Sequence, residues 1–197
     1  MNTCQTDALW FKNTLANQPL IEALKAIKLV VFDVDGTLTN AGIYIDDQGE
    51  GGRIFSVQDG FIFRPATKAG LTLALMSGKN NKSTMHRGAA LGVPENLCSV
   101  GILTKPEAIH KLQTDHSFTP AQTLMVGDDH LDAIVKKTGM ASLFACPADA
   151  PFYYQAYADI VLPRAGGNQA ARLLLDLILY IHGKHFDQDL ITQSLAL

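Results

Sequence analysis

The stretch Lys28-Leu-Val-Val-Phe-Asp33-Val-Asp35-Gly-Thr37 joins a short β-branched apolar run to two carboxylates two residues apart. An apolar run of this length, closed by a turn signal, reads as a strand buried on both faces. Four comparable runs follow, Leu71 to Met76, Leu97 to Val100, Thr123 to Val126 and Ala141 to Cys146. Helix-length segments separate them at 59–69, 81–91, 105–115 and 131–138, and another precedes the first at 19–27. Gly70, Gly92 and Gly139 fall where a helix should stop and a strand begin, the place of a left-handed C-cap. The alternation predicts an α/β fold, three layers around a Rossmann-like parallel sheet. One segment departs from it. Gly42 to Ile45, a polar turn at 46–49, and Arg53 to Val57 read as a β-hairpin inserted after the first strand. Pro65, inside the 59–69 helix, removes a hydrogen-bond donor and predicts a kink or a late start there.

With 197 residues the chain has the length of one domain, 1–197, with a core of about 27–182, an N-terminal helix before it and a tail after it. The 47% hydrophobic and 18% charged content belongs to a packed protein and excludes a disordered one. A net charge of −3 gives no general attraction to nucleic acid or anionic membrane. Cys4, Cys98 and Cys146 are scattered and form no CxxC, which argues against a disulfide scaffold or structural zinc and fits a reducing cytosol. The longest apolar run, 173–181, is interrupted by Asp176 and too short to span a bilayer. The N-terminal residues lack the basic start, apolar core and cleavage site of a signal peptide, so a cytoplasmic protein is expected.

In open α/β sheets ligands bind beyond the carboxyl ends of the strands. Asp33 and Asp35 follow the first strand, Ser77-Gly78-Lys79 the second, and Gly127-Asp128-Asp129 the fourth, while Lys105 begins the helix after the third. Carboxylates held this close repel and need a cation or a shared proton. Asp33, Asp35 and Asp128 supply the hard oxygen ligands that Mg²⁺ prefers. Ser77 and Lys105 supply a hydroxyl and a positive charge for phosphoryl oxygens. A carboxylate can attack phosphorus to form an aspartyl-phosphate, and a second can protonate the leaving alcohol and later activate water.

DVDGT after an apolar strand, SGK, a helix-leading lysine and GDD, in that order, resemble the haloacid dehalogenase superfamily of phosphatases over roughly residues 27–179. The resemblance implies Asp33 as nucleophile and Asp35 as general acid/base with its backbone carbonyl on Mg²⁺. It implies Ser77 and Gly78 on the phosphoryl group, Lys105 neutralising it, Asp128 on the metal, and Asp129 holding metal-bound water or Lys105. Thr37 and Lys79 join Gly78 and Asp129 on the substrate side. No large cap domain fits between Thr37 and Leu71. The segment DVDGTLTNAGIYIDDQGE, then FSVQDGF, then AGGNQAARLLLDLIL is similar to the small capless phosphatases acting on 3-deoxy-manno-octulosonate 8-phosphate, a lipopolysaccharide precursor. That family implies a homotetramer built through the hairpin from Gly42 to Val57, whose Ile43, Ile45, Ile54 and Phe55 carry more apolar surface than a lone flap needs. Gln58, Lys79 and Asn168 stand where the family usually has arginine, with lysine sometimes at the second position. These departures leave the phosphoryl chemistry intact and bear on which sugar is taken. Arg53, Arg64 and Arg164 remain as candidate partners for a substrate carboxylate.

Two other functions fit parts of the pattern. A phosphatase of another sugar acid, such as an acylneuraminate 9-phosphate, would share every phosphate-binding residue. A non-enzymatic phosphoreceiver module also uses an acidic metal site, a hydroxyl and a lysine, but its phosphoacceptor should follow a middle strand, where this chain has Ser77-Gly78. Asp132 reads as a helix-surface or first-turn residue and His182 and His185 as a solvated tail. Phe152, Tyr153, Tyr154 and Tyr157 read as an amphipathic packing face, one of them at most lining an entrance.

Overall fold

The computed structural model describes residues 3–48 and 51–196. Six strands, β1 (Leu29–Phe32), β2 (Thr72–Ser77), β3 (Cys98–Val100), β4 (Thr123–Val126), β5 (Leu143–Cys146) and β6 (Ile160–Val161), pair in the order β3-β2-β1-β4-β5-β6. Every pairing is parallel. The four residues of β1 are all buried, as expected of a central strand with helices on both faces. The chain runs outward from β1 to β2 and β3, then crosses to the other side of β1 to begin β4. Phe32 is in register with Leu75 on one side and Val126 on the other. The residues that follow β1, β2 and β4 therefore emerge at one edge of the sheet, beside the point where the strand order reverses.

The helices are α1 (Thr3–Ala16), α2 (Gln18–Ala26), α3 (Val57–Phe61), α4 (Phe63–Lys68), α5 (Lys82–Leu91), α6 (Lys105–His116), α7 (His130–Lys137), α8 (Phe152–Gln155), α9 (Ala170–Ile181) and α10 (Gln188–Ala196). The expected 59–69 helix is split into α3 and α4 at Ile62. Pro65 has no N–H to offer the carbonyl of Phe61, so the regular ladder stops there. Gly92 ends α5 in the left-handed conformation, φ 81°, where a β-carbon would be strained. The buried carboxylate of Asp59 ties α3 to α9 by accepting the N–H groups of Gln169 at 3.0 Å and Arg172 at 2.8 Å.

Several segments differ from the sequence reading. Residues 42–57 fold back, with the Tyr44 N–H donating to Gly52 O at 3.1 Å, but the described residues form no strand ladder. A hairpin without a third strand or a packed face is marginal, and Ile45 and Ile54 are 66% and 79% exposed. The turn residues 49 and 50 lie outside the described residues. Phe152, Tyr153 and Tyr157 are exposed rather than packed, because α8 is one short turn at the surface. His185 is buried rather than in a solvated tail. Its Nε2 pairs with Asp176 Oδ1 at 2.8 Å and its Nδ1 accepts the Asp187 N–H at 2.9 Å, which anchors the approach to α10. Helix α1 lies along the β6 edge. The Trp10 indole donates to Val161 O at 2.9 Å, and Asp7 pairs with Arg164 at 2.5 Å. Among the described residues no helix is long and apolar enough to cross a membrane.

Candidate active site

Asp33 leaves β1 with its N–H donated to Val126 O at 2.8 Å, so the sheet hydrogen bonding still holds the backbone of the first carboxylate. The chain then turns through Gly36, φ 98°. A β-carbon there would also lie 2.2 Å from Asp128 Oδ2, so this glycine lets two carboxylate-bearing loops approach. Thr37, buried beside it, donates its hydroxyl to Asp128 Oδ1 at 3.3 Å and so orients Asp128. Ser77, the last residue of β2, donates its hydroxyl to Asp35 Oδ2 at 3.3 Å and accepts the Lys79 N–H at 3.2 Å. The Lys79 residue is exposed, and Gly78 beside it is partly buried.

Lys105 is the first residue of α6, yet it is 1% exposed. Its ammonium lies 2.5 Å from Asp33 Oδ1 and 2.5 Å from Asp132 Oδ1. Asp132, also 1% exposed, is the residue the sequence reading placed on the helix surface. Its other oxygen accepts the N–H groups of Asp128 at 3.1 Å and Asp129 at 3.2 Å. Asp129 does not hold Lys105. It caps α7, its carboxylate taking the His130 N–H at 2.6 Å. The physical reason is position. The third residue of a helix reaches back over the preceding turn in a capping box, whereas the cap residue spends its side chain on the helix end. Asp129-x-x-Asp132 is that pattern, and it was the available signal. Gly127 makes room, since a β-carbon there would lie 2.1 Å from Asp132 Cγ.

Oxygens of Asp33, Asp128 and Asp132 lie within 4.8 Å of one another. With all three carboxylates ionised, one ammonium stands against them and two negative charges are left uncompensated in a buried pocket. Burial raises the Asp33 carboxyl well above its ordinary range, the Asp132 and Asp128 charges push the same way, and Lys105 opposes them. Burial, then Asp132, lifts Asp128 to about 7. Lys105 is pulled down by burial but raised on balance by Asp132 and Asp33. Hard oxygen donors with two uncompensated charges fit a divalent cation. Both oxygens of Asp132 are already bonded. Among the described residues nothing donates to Asp33 Oδ2 or Asp128 Oδ2, so those oxygens are the free ligands.

Arg53 completes the site. From an otherwise exposed segment it buries its side chain to 1% and binds Asp35 through Nε to Oδ1, and through Nη2 to Oδ2 at 3.5 Å. Of the three candidate arginines, Arg53 is the one that the described contacts bring to a carboxylate of the site. Arg64 donates to Ala90 O and Arg164 pairs with Asp7. Gln58 and Asn168 are exposed. The loop before Asn168 packs on the Asp35–Thr37 turn, with the Gly167 N–H on Thr37 O at 2.9 Å.

No family model matches the chain. Individual relatives do. The 3-deoxy-D-manno-octulosonate 8-phosphate phosphatase KdsC of Haemophilus influenzae is 35% identical over 163 residues, 83% of this chain and 88% of that protein. Its Escherichia coli K12 counterpart is 32% identical over 166 residues, 84% of this chain and 86% of the relative. The cobalt-bound structure of the H. influenzae phosphatase superposes with a TM-score of 0.78 at 33% identity, covering 87% of this chain and 99% of that one. The Yersinia pestis phosphatase of the same name gives a TM-score of 0.80 at 30% identity, covering 85% and 88%. The matched sheet, the absence of a large cap and the extent of the identity agree: this chain belongs to the 3-deoxy-D-manno-octulosonate 8-phosphate phosphatase family, phosphoric monoester hydrolases of the haloacid dehalogenase fold.

Proposed function

We propose that the protein hydrolyses 3-deoxy-D-manno-octulosonate 8-phosphate by way of an aspartyl-phosphate, with Mg²⁺ as its cation. The observation that carries the reading is the Asp33–Lys105–Asp132 chain of buried charges, which holds Asp33 with one oxygen bonded and the other open. In this reading one carboxylate oxygen of Asp33 attacks phosphorus, and the phosphorus–oxygen bond to the sugar breaks. Asp35 gives a proton to the departing sugar oxygen. It then takes a proton from water, which attacks the phosphoryl group and regenerates Asp33. The Ser77 hydroxyl and Gly78 N–H hold the phosphoryl oxygens, and Lys105 offsets their charge. Asp33, Asp128 and the Asp35 carbonyl would hold the Mg²⁺, which supplies charge neutralisation at the phosphoryl group. Thr37 and Asp129 act one step back, Thr37 on Asp128 and Asp129 on α7. Lys79 stays as an exposed cation beside the phosphate loop.

The sugar comes from the activity of the relatives, and the assembly from the exposed apolar residues of segment 42–57. Ile43, Ile45 and Ile54 are exposed on a segment with little internal support, so a second subunit covering them suits a homotetramer built there. Side-by-side kinetics test the substrate. The acidic sugar phosphate should exceed a neutral hexose phosphate at least about tenfold in kcat/KM, about 1.4 kcal/mol of transition-state binding. Equal values would leave a general sugar phosphatase, and a higher value on an acylneuraminate 9-phosphate would name a different sugar acid.

A further inference from the structure

Arg53 presents a contradiction within the site. The proposed acid/base Asp35 has both oxygens engaged, Oδ1 by Arg53 Nε and Oδ2 by Arg53 Nη2 and the Ser77 hydroxyl. A carboxylate gripped on both oxygens by a planar guanidinium has no oxygen free for a leaving group. The contact has to open for Asp35 to work.

The surroundings of Arg53 indicate where it goes. Its Nη1 donates to Ser83 Oγ at 3.3 Å, on the first turn of α5. A cavity of about 470 Å³ opens on that side, lined by Gly51, Arg53, Asn80, Asn81, Lys82 and Ser83. Among the described residues this lining holds two cations, two amides and a hydroxyl, and no carboxylate. Such a lining suits an anion. The carrier of Arg53 has little to hold it: among the described residues of segment 42–52 the backbone is tied by the Tyr44 N–H on Gly52 O and forms no ladder.

We propose that Arg53 is a latch that reads the substrate: it holds Asp35 while the site is empty, and a second anionic group on the substrate, seated in the 470 Å³ cavity, draws it away. The inference rests on Asp35 as acid/base and makes Arg53 a positioning residue that acts through it. The exchange is like for like. A substrate carboxylate offers the guanidinium the same two-oxygen partner that Asp35 did, so little is lost in the swap. A neutral phosphate ester offers no replacement and must break the contact uncompensated. Specificity for an acidic sugar then arises partly from release of the acid and not only from affinity.

The test is kinetics of the wild type, Arg53→Gln and Arg53→Lys, with Mg²⁺, on 3-deoxy-manno-octulosonate 8-phosphate and on glucose 6-phosphate, a neutral sugar whose alkoxide leaving group needs the acid, with thermal melting to verify folding. For Arg53→Gln, kcat on glucose 6-phosphate should rise at least about threefold, while kcat/KM on the acidic sugar phosphate falls at least about tenfold, through KM. Arg53→Lys should recover part of the acidic-substrate loss and should carry the test if the glutamine variant does not fold. Parallel loss on both substrates would overturn the latch and leave Arg53 a structural or general catalytic group. An unchanged ratio between substrates would overturn it too. If the wild type shows no preference for the acidic over the neutral sugar phosphate, the substrate reading fails, yet the rise on glucose 6-phosphate still decides whether Arg53 restrains Asp35.

Discussion

Lys105 and Asp132 form a buried ion pair at 2.5 Å, the lysine rooted in the first turn of α6 and the aspartate in the first turn of α7. A cation at a helix N-terminus opposes the helix dipole, so α6 gains nothing from it locally. The partner on α7 and the nucleophile candidate on β1 hold it there. Asp132→Ala would leave the ammonium short of one carboxylate and orphan the Asp128 and Asp129 N–H groups. The expected cost is about 3 kcal/mol, a fall in Tm of about 6–12 °C for a chain of this size. Turnover should fall about 100-fold, because Lys105 would no longer be fixed. Wild-type Tm and turnover together in this variant would refute the bracing role.

Asp33→Asn should abolish steady-state turnover, and Asp35→Asn should reduce it severely. The first variant has a second signature. Burial and neighbouring carboxylates raise the Asp33 carboxyl, so its charge strains the metal-free protein. The amide removes that charge, and metal-free Asp33→Asn should melt no lower than the wild type. Calorimetry in chelator checks the melting point, and phosphate release checks the turnover.

The pH dependence of metal binding follows from Asp128. Its folded value of about 7 lies above the ordinary 3.8. The metal-free native state keeps a proton that the unfolded chain gives up, so this group's contribution to stability is full below about 3.8 and is lost as pH rises through about 7. A cation must displace that proton. Mg²⁺ affinity should weaken at least about tenfold per unit below pH 7. Titration calorimetry between pH 5.5 and 8 measures it, and a flat affinity across that range would contradict the assignment of Asp128 as a ligand.

Asp59 holds the start of α9 from α3. Asp59→Ala strands the Gln169 and Arg172 N–H groups and should cost about 2 kcal/mol, or about 4–8 °C in Tm. Chemical denaturation of the two proteins gives the difference directly.

Assembly is tested at Ile54, 79% exposed on segment 42–57. Ile54→Asp should convert the proposed tetramer to smaller species in light scattering while leaving the far-UV circular dichroism unchanged. A wild type that is monomeric at micromolar concentration with activity retained would remove the tetramer.

The parallel sheet was readable because its strands are short apolar runs ending in carboxylates, glycine or serine, as at Phe32-Asp33 and Met76-Ser77. Pro65 carried its own signal, and the break at Ile62 followed. β6 did not, since two residues, Ile160 and Val161, make no periodicity. The 42–57 segment alternates like a hairpin, yet alternation alone supplies no third strand to hold it. Asp132 was hidden differently. A carboxylate in a first helical turn ordinarily faces water, and only the fold brings the tip of Lys105 to it. Arg53 was legible as an available cation but not as the partner of Asp35, a contact that depends on how a loop closes.

The Trp10 indole on Val161 O has a bearing on how copies of this molecule can join. At one margin the sheet ends in a strand two residues long whose Val161 carbonyl is already taken by a side chain from α1. At the other it ends in β3, three residues long. Neither margin offers the run of open backbone groups needed for strand-to-strand fusion between subunits. Association of copies is thereby steered away from the two margins and toward surfaces outside the sheet, so a contact between subunits can be altered by substitution without disturbing the sheet.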